Sequence, residues 1–530
     1  MTLTSLADFS RLAARKYLQS AVFIDDNIYT PDSARLASPT EIAVRQLKPA
    51  FVEAQDAGTP PSPEANQAVL PERPPFRTKD IVVSFAEHGI VCALYEPERD
   101  FSTDETSVVF KLCETADLVI LDWDFHEVGV TGTKPKSLIE SLIKSGNRVA
   151  PHHIRLIAIY TNTPDLQFIS NSIYEHLTGR GCNPEPVDNS ALHLQSGSSR
   201  ILVLGKHGMR RAADQENFTV KESDLADRLL QEFSDMNSGI LPSYALHGMG
   251  AIRRNSKRIL DRFNRGMDGA FLLHRELVAK DHEAFDQLPE LLADELRAVV
   301  EDEHLDATQA ALIAANAVDG DEISGQDKGA IALAKNTPTP YKFVKNKLVA
   351  NNSVPKAHQH LAALFSNRTQ YSKAFRTLTY GTVVRRRLTN DSPWEFAFCL
   401  IPICDSLRLD AEKKIRFPFW TLVEDLYSGS TKRRGMVLYS PDDESPIALT
   451  ASGKASKMLW LEEFIVDATT QTVRATLKNG VSRFDGAESD IQWVGQLKPL
   501  HAQRIAIDIG DNLSRVGLDE AEWLRLLCDR

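Results

Sequence analysis

Four short apolar runs, each followed or ended by a polar residue, are the feature that most constrains the fold of this chain. The runs are AVFI before Asp25, DLVIL before Asp122, IRLIAIY before Thr161 and RILVLG before Lys206. Apolar runs of this length are typical of parallel strands that are buried on both faces. Because ligands bind beyond the carboxyl ends of the strands in an open parallel sheet, we expect the four side chains to share one crevice.

Residues of these types in one crevice indicate phosphoryl transfer to a carboxylate. That reaction needs an acceptor oxygen, a divalent cation and donors for the phosphate oxygens. Asp122 is the candidate acceptor. Asp25 and Asp26, joined by Asp122 itself and by the backbone carbonyl of Asp124, are candidate ligands of Mg²⁺, which prefers oxygen ligands and retains waters. Mg²⁺ is the only cofactor that the sequence predicts.

Two further residues complete the candidate catalytic set. The Lys206 amine can pair with Asp122 or with a phosphate oxygen, and the Thr161 hydroxyl can donate a hydrogen bond to the same phosphate. The motifs FIDDN, LVILDWD, IAIYT and LVLGK together resemble the receiver domain of two-component response regulators. The resemblance covers roughly residues 17 to 235.

The resemblance implies a flavodoxin-like, doubly wound parallel sheet of five strands. It also implies Asp122 as the phosphoacceptor, Asp25 and Asp26 as Mg²⁺ ligands, Thr161 as the switch hydroxyl and Lys206 as the phosphate-pairing amine. Within that family the chain is similar to a divergent branch associated with bacterial conflict and phage defence. The partner implied is a histidine kinase or a related GHKL-type ATPase in a phosphorelay, and a homo-oligomer stays open.

The chain departs from the family pattern in spacing and at two positions, three residues before the lysine and directly after it. Asp122 lies 96 positions after Asp26 and Lys206 lies 45 positions after Thr161, and both spacings are longer than the compact receiver pattern. Part of the first gap is the Pro-rich stretch at 58–75, which is typical of a surface insertion. Val203 and His207 stand where the family often has an aromatic residue and a proline. These departures predict a different readout of the signal.

Two other functions fit the same residues. A haloacid-dehalogenase-like phosphatase would use Asp122 as its nucleophile and Asp124 as its general acid, with LDWD, IYTN and LGK as its motifs. A pseudo-receiver scaffold would bind partners without being phosphorylated. Along the chain, the paired aspartates come first and are followed by Asp122, Thr161 and Lys206. This order favours a phosphoacceptor protein over a phosphatase.

The sequence predicts three regions. Residues 1–237 form the receiver-like domain with a Pro-rich insertion near 30–78, residues 238–388 a helical linker or middle region, and residues 389–530 an α+β output or interaction domain. The segment SGILPSYALHGMG, which begins the second region, contains glycine and proline and is interpreted as a hinge. An Asn479-Gly480 pair predicts a tight hairpin in the third.

Charge and cysteine usage narrow the class of protein. The formal net charge of −11 argues against a general nucleic-acid coat. Basic segments at 251–269 and 385–387 leave nucleic-acid binding open as a minor alternative, and the acidic segment 281–306 is a candidate partner for the first of them. The six cysteines form no CxxC pair, which argues against a disulfide framework or a zinc site, and Cys404 is interpreted as buried. The sequence contains no long apolar stretch, so we expect a cytoplasmic protein without membrane contact.

Overall fold

The structure is a computed structural model that describes most of the chain. The described residues are 5–28, 78–125, 131–149, 154–187, 190–277, 284–306, 308–310, 313, 357–371, 376–389, 391–424, 435–451, 459–487 and 489–514. The chain divides into two compact units, one made of residues 1–264 and 290–334 and the other of residues 265–289 and 335–530. The Pro-rich insertion lies outside the described residues.

The first unit is built on one mixed sheet with a parallel centre. Its described strands are β1 (Ser20–Ile24), β2 (Val91–Tyr95), β3 (Leu118–Leu121), β4 (Arg155–Thr161), β5 (Glu185–Val187), β6 (Ser190–Ser196), β7 (Ser199–Lys206) and β8 (Thr219–Val220). Their order is β2-β1-β3-β4-β7-β6-β5, with β8 paired to β7. The run from β2 to β7 is parallel throughout, which is the order of a flavodoxin-like fold.

The prediction of five strands describes only this parallel centre. Strands β5 and β6 continue the sheet antiparallel beyond β7, and β8 adds a two-residue parallel pairing to the end of β7. The β6–β7 connection is a tight hairpin at Gly197, which has a φ of 57°. Strands β5 and β6 therefore come from the long segment between Thr161 and Lys206, whereas β8 follows Lys206.

Helices cover both faces of this sheet. They are α1 (Leu6–Tyr17), α2 (Thr78–Glu87), α3 (Val108–Thr115), α4 (Thr133–Val149), α5 (Leu166–Gly179), α6 (Leu225–Met236) and α7 (Ile240–Arg262). Alternate residues of each central strand enter opposite cores: Phe23 packs with α1, α2 and α6, whereas its neighbours Val22 and Ile24 pack with α3, α4 and α5. This alternation is the side-chain period of a strand and explains why the strands read as continuous apolar runs.

The segment that the sequence predicted as a hinge is helical. Helix α7 begins at Ile240, directly after Gly239, and packs along α1. Gly250 permits the close approach, because a Cβ at this position would lie 2.8 Å from the carbonyl carbon of Lys16. Arg253 then binds both carboxylate oxygens of Asp117 at 2.8 and 3.0 Å. The hinge prediction is wrong because packing against α1 outweighs the low helix propensity of glycine.

The basic and acidic segments pair within the first unit. Arg254 Nη2 lies 2.9 Å from Glu303 Oε1, and Arg262 Nη1 lies 2.7 Å from Glu295 Oε1 in helix α9 (Leu288–Asp302). Much of the positive charge of α7 is thus matched by carboxylates of the same protein. This pairing favours an internal role for the basic segment over binding of a polyanion.

The second unit is centred on an antiparallel sheet. Its described strands are β9 (Thr382–Arg387), β10 (Glu395–Cys399), β11 (Ile415–Glu424), β12 (Gly435–Tyr439), β13 (Pro446–Ala451), β14 (Leu459–Phe464), β15 (Ala475–Lys478), β16 (Val481–Phe484) and β17 (Asp490–Gln496). Its described helices are α8 (Asp268–Leu277), α10 (Ala357–Ser366) and α11 (Pro499–Ser514). The long strand β11 pairs with β14 through its first half and with β13 through its second half.

Two features of this unit were predicted from the sequence, and the structure confirms one and contradicts the other. The predicted hairpin is confirmed: β15 and β16 are joined by Asn479 and Gly480, which both have positive φ. The expected burial of Cys404 is wrong, because this residue is exposed in a short turn after β10.

Within the described residues of the whole chain, every helix is too short or too polar to span a bilayer.

The arginines of β9 are occupied by carboxylates of the same unit. Arg385 is 4% exposed and binds Asp442 through both terminal nitrogens at 2.6 Å. Arg386 lies 3.1 Å from Glu395, and Arg387 lies 3.0 Å from Asp490; these pairs leave little free positive charge on the strand. The arrangement argues against the nucleic-acid alternative for this segment.

Candidate functional site

The four predicted strand ends lie side by side. Strands β1, β3, β4 and β7 are consecutive neighbours in the parallel part of the sheet. Asp25 and Asp122 directly follow β1 and β3, while Thr161 and Lys206 are the last residues of β4 and β7. The main chain continues the ladder into the site, since Asp122 N donates to Ile24 O at 2.9 Å. All four segments therefore deliver their side chains to one edge of the sheet.

Lys206 joins two of the aspartates. Its Nζ donates to Asp25 Oδ2 at 2.6 Å and to Asp122 Oδ1 at 2.9 Å. The three residues are buried, with exposures of 5% for Lys206, 1% for Asp25 and 6% for Asp122. Two buried carboxylates on one amine form a charge-assisted network in a region of low dielectric, where such contacts are strong and geometry is well defined.

The loops after β1 and β3 orient these carboxylates through their own backbone. Asn27 N donates to Asp25 Oδ1 at 2.8 Å, and Asp124 N donates to Asp122 Oδ2 at 3.0 Å. Both are contacts to the residue two positions later, the pattern by which aspartate forms a turn at a strand end. Asp26 is also buried, at 5% exposure, and its Oδ1 accepts from Asn27 Nδ2 at 2.6 Å.

The electrostatics of the site follow from burial and crowding. Burial raises the pKa of the Asp25 carboxyl to about 6; the Lys206 amine opposes this rise, and the negative charge of Asp122 adds to it. Burial alone would lower the pKa of Lys206, but the adjacent Asp122 and Asp25 carboxylates outweigh it, so the net direction is upward. Lys206 is accordingly a permanent cation at neutral pH.

Thr161 belongs to a chain of hydroxyl contacts. It is fully buried, and its Oγ1 donates to Thr163 Oγ1 at 3.2 Å while accepting from Thr163 N at 3.1 Å. Thr163 Oγ1 in turn donates to Asp124 Oδ2 at 3.1 Å. The chain links the loop after β4 to the loop after β3. Thr163 was not among the predicted residues, although its place two positions after Thr161 in the TNT sequence could have indicated a turn contact.

Arg211 is the second residue that sequence reasoning missed. Its Nη1 donates to the carbonyl of Lys206 at 2.7 Å, and its Nη2 donates to the carbonyl of Thr161 at 2.9 Å. Arg211 lies in the loop KHGMRRA, where nothing in the sequence distinguishes it from its exposed neighbour Arg210. Only the folded chain shows that it contacts two of the predicted site residues.

The oxygen donors of the site fit a magnesium ion by their chemistry. Among the residues that the structure describes, no group of three or more His, Cys, Asp or Glu side chains is arranged to hold a metal ion by itself. Mg²⁺ rarely requires such a cage, because it is commonly bound by one or two carboxylates and keeps several waters. The buried carboxylates of Asp25, Asp26 and Asp122 are ligands of that kind. The metal set that includes Asp124 stays a prediction.

Comparison with known proteins agrees with this part of the chain. Residues 17–211 match a sequence family described as the response receiver domain. The match covers less than half of the chain, contains every predicted site residue and ends at Arg211. No curated protein and no solved structure gives a significant match. The match of this region to the receiver family, together with its parallel-centred sheet, supports a signalling role of the response-regulator kind.

Proposed function

We propose that Asp122 accepts a phosphoryl group and that the resulting change controls the region that follows the receiver. The observation that carries the proposal is the contact of Lys206 Nζ with both Asp122 Oδ1 and Asp25 Oδ2. A buried amine in this place holds the acceptor carboxylate in position and can move to a phosphate oxygen. The hydroxyl of Thr161, at the end of the neighbouring strand, is the second donor.

The charge of the site supports a requirement for Mg²⁺. With Asp25, Asp26 and Asp122 ionised, the single Lys206 leaves a net negative pocket, and a phosphoryl group would add more negative charge. Bound Mg²⁺ would neutralise phosphate oxygens and so supply the charge compensation that the pocket lacks. Asp25 and Asp26 would hold it, with Asp122 as a further oxygen ligand.

The transfer itself is a substitution at phosphorus. An oxygen of Asp122 forms a bond to the phosphorus atom, the bond between phosphorus and the donor breaks, and the donor leaves with that electron pair. The product is an aspartyl phosphate. Lys206 and Thr161 stabilise the negative charge on the phosphate oxygens, and their shift towards it alters the loops after β7 and β4.

The partners in this proposal are a phosphodonor and an output. The donor is a histidine kinase or a related GHKL-type ATPase, and residues 238–530 act as the output or interaction region. A role in defence against phage rests on the family resemblance alone. It is tested by phage challenge of cells that carry either the wild-type chain or Asp122→Asn.

The direct test is chemical labelling of the purified full chain. Acetyl phosphate with Mg²⁺ should convert the wild-type protein to a slower band on a Phos-tag gel. Asp122→Asn should remove that band, whereas Asp100→Asn, which changes an exposed aspartate of the same unit, should retain it. Unlabelled wild-type protein, or a label that survives Asp122→Asn, would refute the phosphoacceptor proposal.

The same experiment separates the alternatives. A phosphatase would release phosphate continuously from model esters, and Asp124→Asn would then accumulate the intermediate. A scaffold would show neither label nor turnover. The contact of Asp124 Oδ2 with Thr163 Oγ1 makes the carboxylate part of a loop-to-loop link. This contact favours the phosphoacceptor, because a general acid must be available to the leaving group.

A further inference from the structure

Arg211 occupies a particular place between the strands that carry Thr161 and Lys206. The parallel ladder of β4 and β7 ends where Thr161 pairs with Gly205. Immediately beyond that pair, the Arg211 guanidinium binds the carbonyl of Lys206 at 2.7 Å and the carbonyl of Thr161 at 2.9 Å. It also approaches the carbonyl of Thr163 at 3.4 Å. One side chain thus continues the connection between two strands after their backbone ladder has stopped.

The environment of Arg211 indicates that its guanidinium binds these carbonyls and not a carboxylate. Among the described residues, no carboxylate forms an ion pair with it, and its Nε is buried without a hydrogen-bond partner. Burial lowers the pKa of the guanidinium, although arginine stays charged at any physiological pH. Carrying a half-buried charge without a carboxylate is unfavourable. The three backbone contacts offset part of this cost.

Gly205 makes room for this arrangement. A Cβ at residue 205 would lie 2.3 Å from Arg211 Cζ and 2.5 Å from its Nε. The guanidinium therefore lies directly on the backbone of β7, one residue before Lys206. A planar group with several fixed donors can bridge two carbonyls in this way, whereas a lysine amine on a flexible stem would hold them less rigidly.

We infer that Arg211 is a positioning residue that fixes the distance between Thr161 and Lys206 and makes the two respond together to a phosphoryl group on Asp122. The inference rests on the proposed function. Because its two nearest acceptors are the carbonyls of the residues that supply the hydroxyl and the amine, a displacement of either main chain must move the other or break a contact with Arg211. Precise placement of such donors commonly changes rates by large factors.

A purely structural arginine would behave differently. Its removal would lower the stability of the first unit and leave the labelling rate of the folded protein unchanged. A positioning residue instead alters the rate, and its effect depends on the presence of the groups through which it acts. Energies of residues in one network are not additive, so a double-mutant cycle with Thr161 separates the two cases.

The experiment measures the initial rate of labelling of the full chain by acetyl phosphate with Mg²⁺. Arg211→Gln should lower this rate about tenfold to a hundredfold, the range expected when reacting groups are displaced by about 1 Å. Arg210→Gln is the matched control, because it removes the same charge from the adjacent, exposed residue; its rate should stay within about twofold, as surface charges at this distance are screened. Gly205→Ala keeps every charge but displaces the guanidinium, and it should also slow labelling.

The cycle then combines Arg211→Gln with Thr161→Ala. If Arg211 acts through Thr161, the double variant should be labelled clearly faster than the product of the two single effects predicts. Equal rates for Arg211→Gln, Gly205→Ala and Arg210→Gln, or effects that multiply without coupling, would overturn the inference while labelling of the wild type still supports the phosphoacceptor. An unlabelled wild type would overturn both. Gly205→Ala decides the matter if Arg211→Gln does not fold.

Discussion

Removing the buried amine of Lys206 should destabilise the first unit strongly. Lys206→Met keeps most of the aliphatic stem but leaves the carboxylates of Asp25 and Asp122, which are 1% and 6% exposed, without their common cation. Loss of one partner of a buried ion pair typically costs about 3–5 kcal/mol, because the remaining charge is desolvated. We expect a loss of unfolding free energy in this range at pH 7.5.

The loss of unfolding free energy in Lys206→Met should depend on pH, and the pKa of Asp25 determines the direction. In the folded wild type the pKa of Asp25 is about 6, above the value of about 3.9 for an unfolded aspartate. A carboxyl whose pKa is raised by folding stabilises the protein most at low pH, and this contribution decreases as pH rises from about 4 to about 6. In the wild type, Lys206 lowers the pKa of Asp25, so the variant without this amine should have a higher Asp25 pKa. The stability of the variant should therefore continue to decrease above pH 6. The difference between wild type and variant should therefore grow from pH 6 to pH 8, by up to about 1.4 kcal/mol per pH unit.

The two compact units require a probe that reports on the first one alone. Trp123 is the only tryptophan in residues 1–264 and 290–334, and it is fully buried. The fluorine resonance of 5-fluorotryptophan at this position, assigned with Trp123→Phe, can be followed through a urea titration of the full chain. Lys111→Met, which removes an exposed lysine of the same unit, is the control for charge.

Two outcomes would refute the reasoning. If Lys206→Met unfolds at the same urea concentration as Lys111→Met, the amine does not hold two buried carboxylates. If its destabilisation does not change between pH 6 and pH 8, the titrating carboxylate is not Asp25. Conversely, adding Asp25→Asn to Lys206→Met should recover stability at pH 7.5, because only one unpaired carboxylate remains.

Three further predictions concern the cation, the helix packing and the second unit. Chelation of divalent cations with EDTA should abolish labelling of Asp122 by acetyl phosphate, and added Mg²⁺ should restore it on a Phos-tag gel. Gly250→Ala should lower the unfolding free energy of the first unit by about 1–3 kcal/mol, because its Cβ would meet the α1 backbone at 2.8 Å. Gly179→Ala in the same unit, whose Cβ meets no atom within 4 Å, should not. Asp442→Asn should destabilise the second unit by about 1–3 kcal/mol, read from its tryptophan resonances, since it weakens a two-point contact to the buried Arg385.

The candidate site was predictable because its residues are set by strand ends. Short continuous apolar runs are typical of buried parallel strands. Asp25, Asp122, Thr161 and Lys206 lie at the ends of such runs, so their side chains meet if the strands are neighbours. Their order in the sheet is not written in any single run. It depends on which strands the connections bring side by side, and β2 and β3, although consecutive in the chain, lie on opposite sides of β1.

Features that depend on contacts between distant segments could not be predicted. Arg210 and Arg211 are adjacent and chemically identical, and only the fold brings one of them to the carbonyls of two strands. The glycines of α7 indicated a hinge by their propensity, whereas Gly250 is required by the close approach of α1. Strand β5 has only three residues, and the predicted five-stranded sheet has no place for β6, although its alternation of polar and apolar residues is typical of a half-buried strand.

Strand β3 separates the proposed acceptor Asp122 from the residue that binds α7. Asp117, at the amino end of this strand, accepts from the backbone of Gln19 and Ser20 and from both terminal nitrogens of Arg253. Asp122 lies at the opposite end, roughly 16 Å away for five residues of extended chain. Because a strand that is buried on both faces and paired on both sides cannot bend freely, we expect Asp117 and the proposed phosphoacceptor Asp122 to stay at a constant distance. If a change at Asp122 affects α7, we expect it to act through the loops and helices around the sheet, or through a shift of β3 as a rigid element, and not through local bending of the strand.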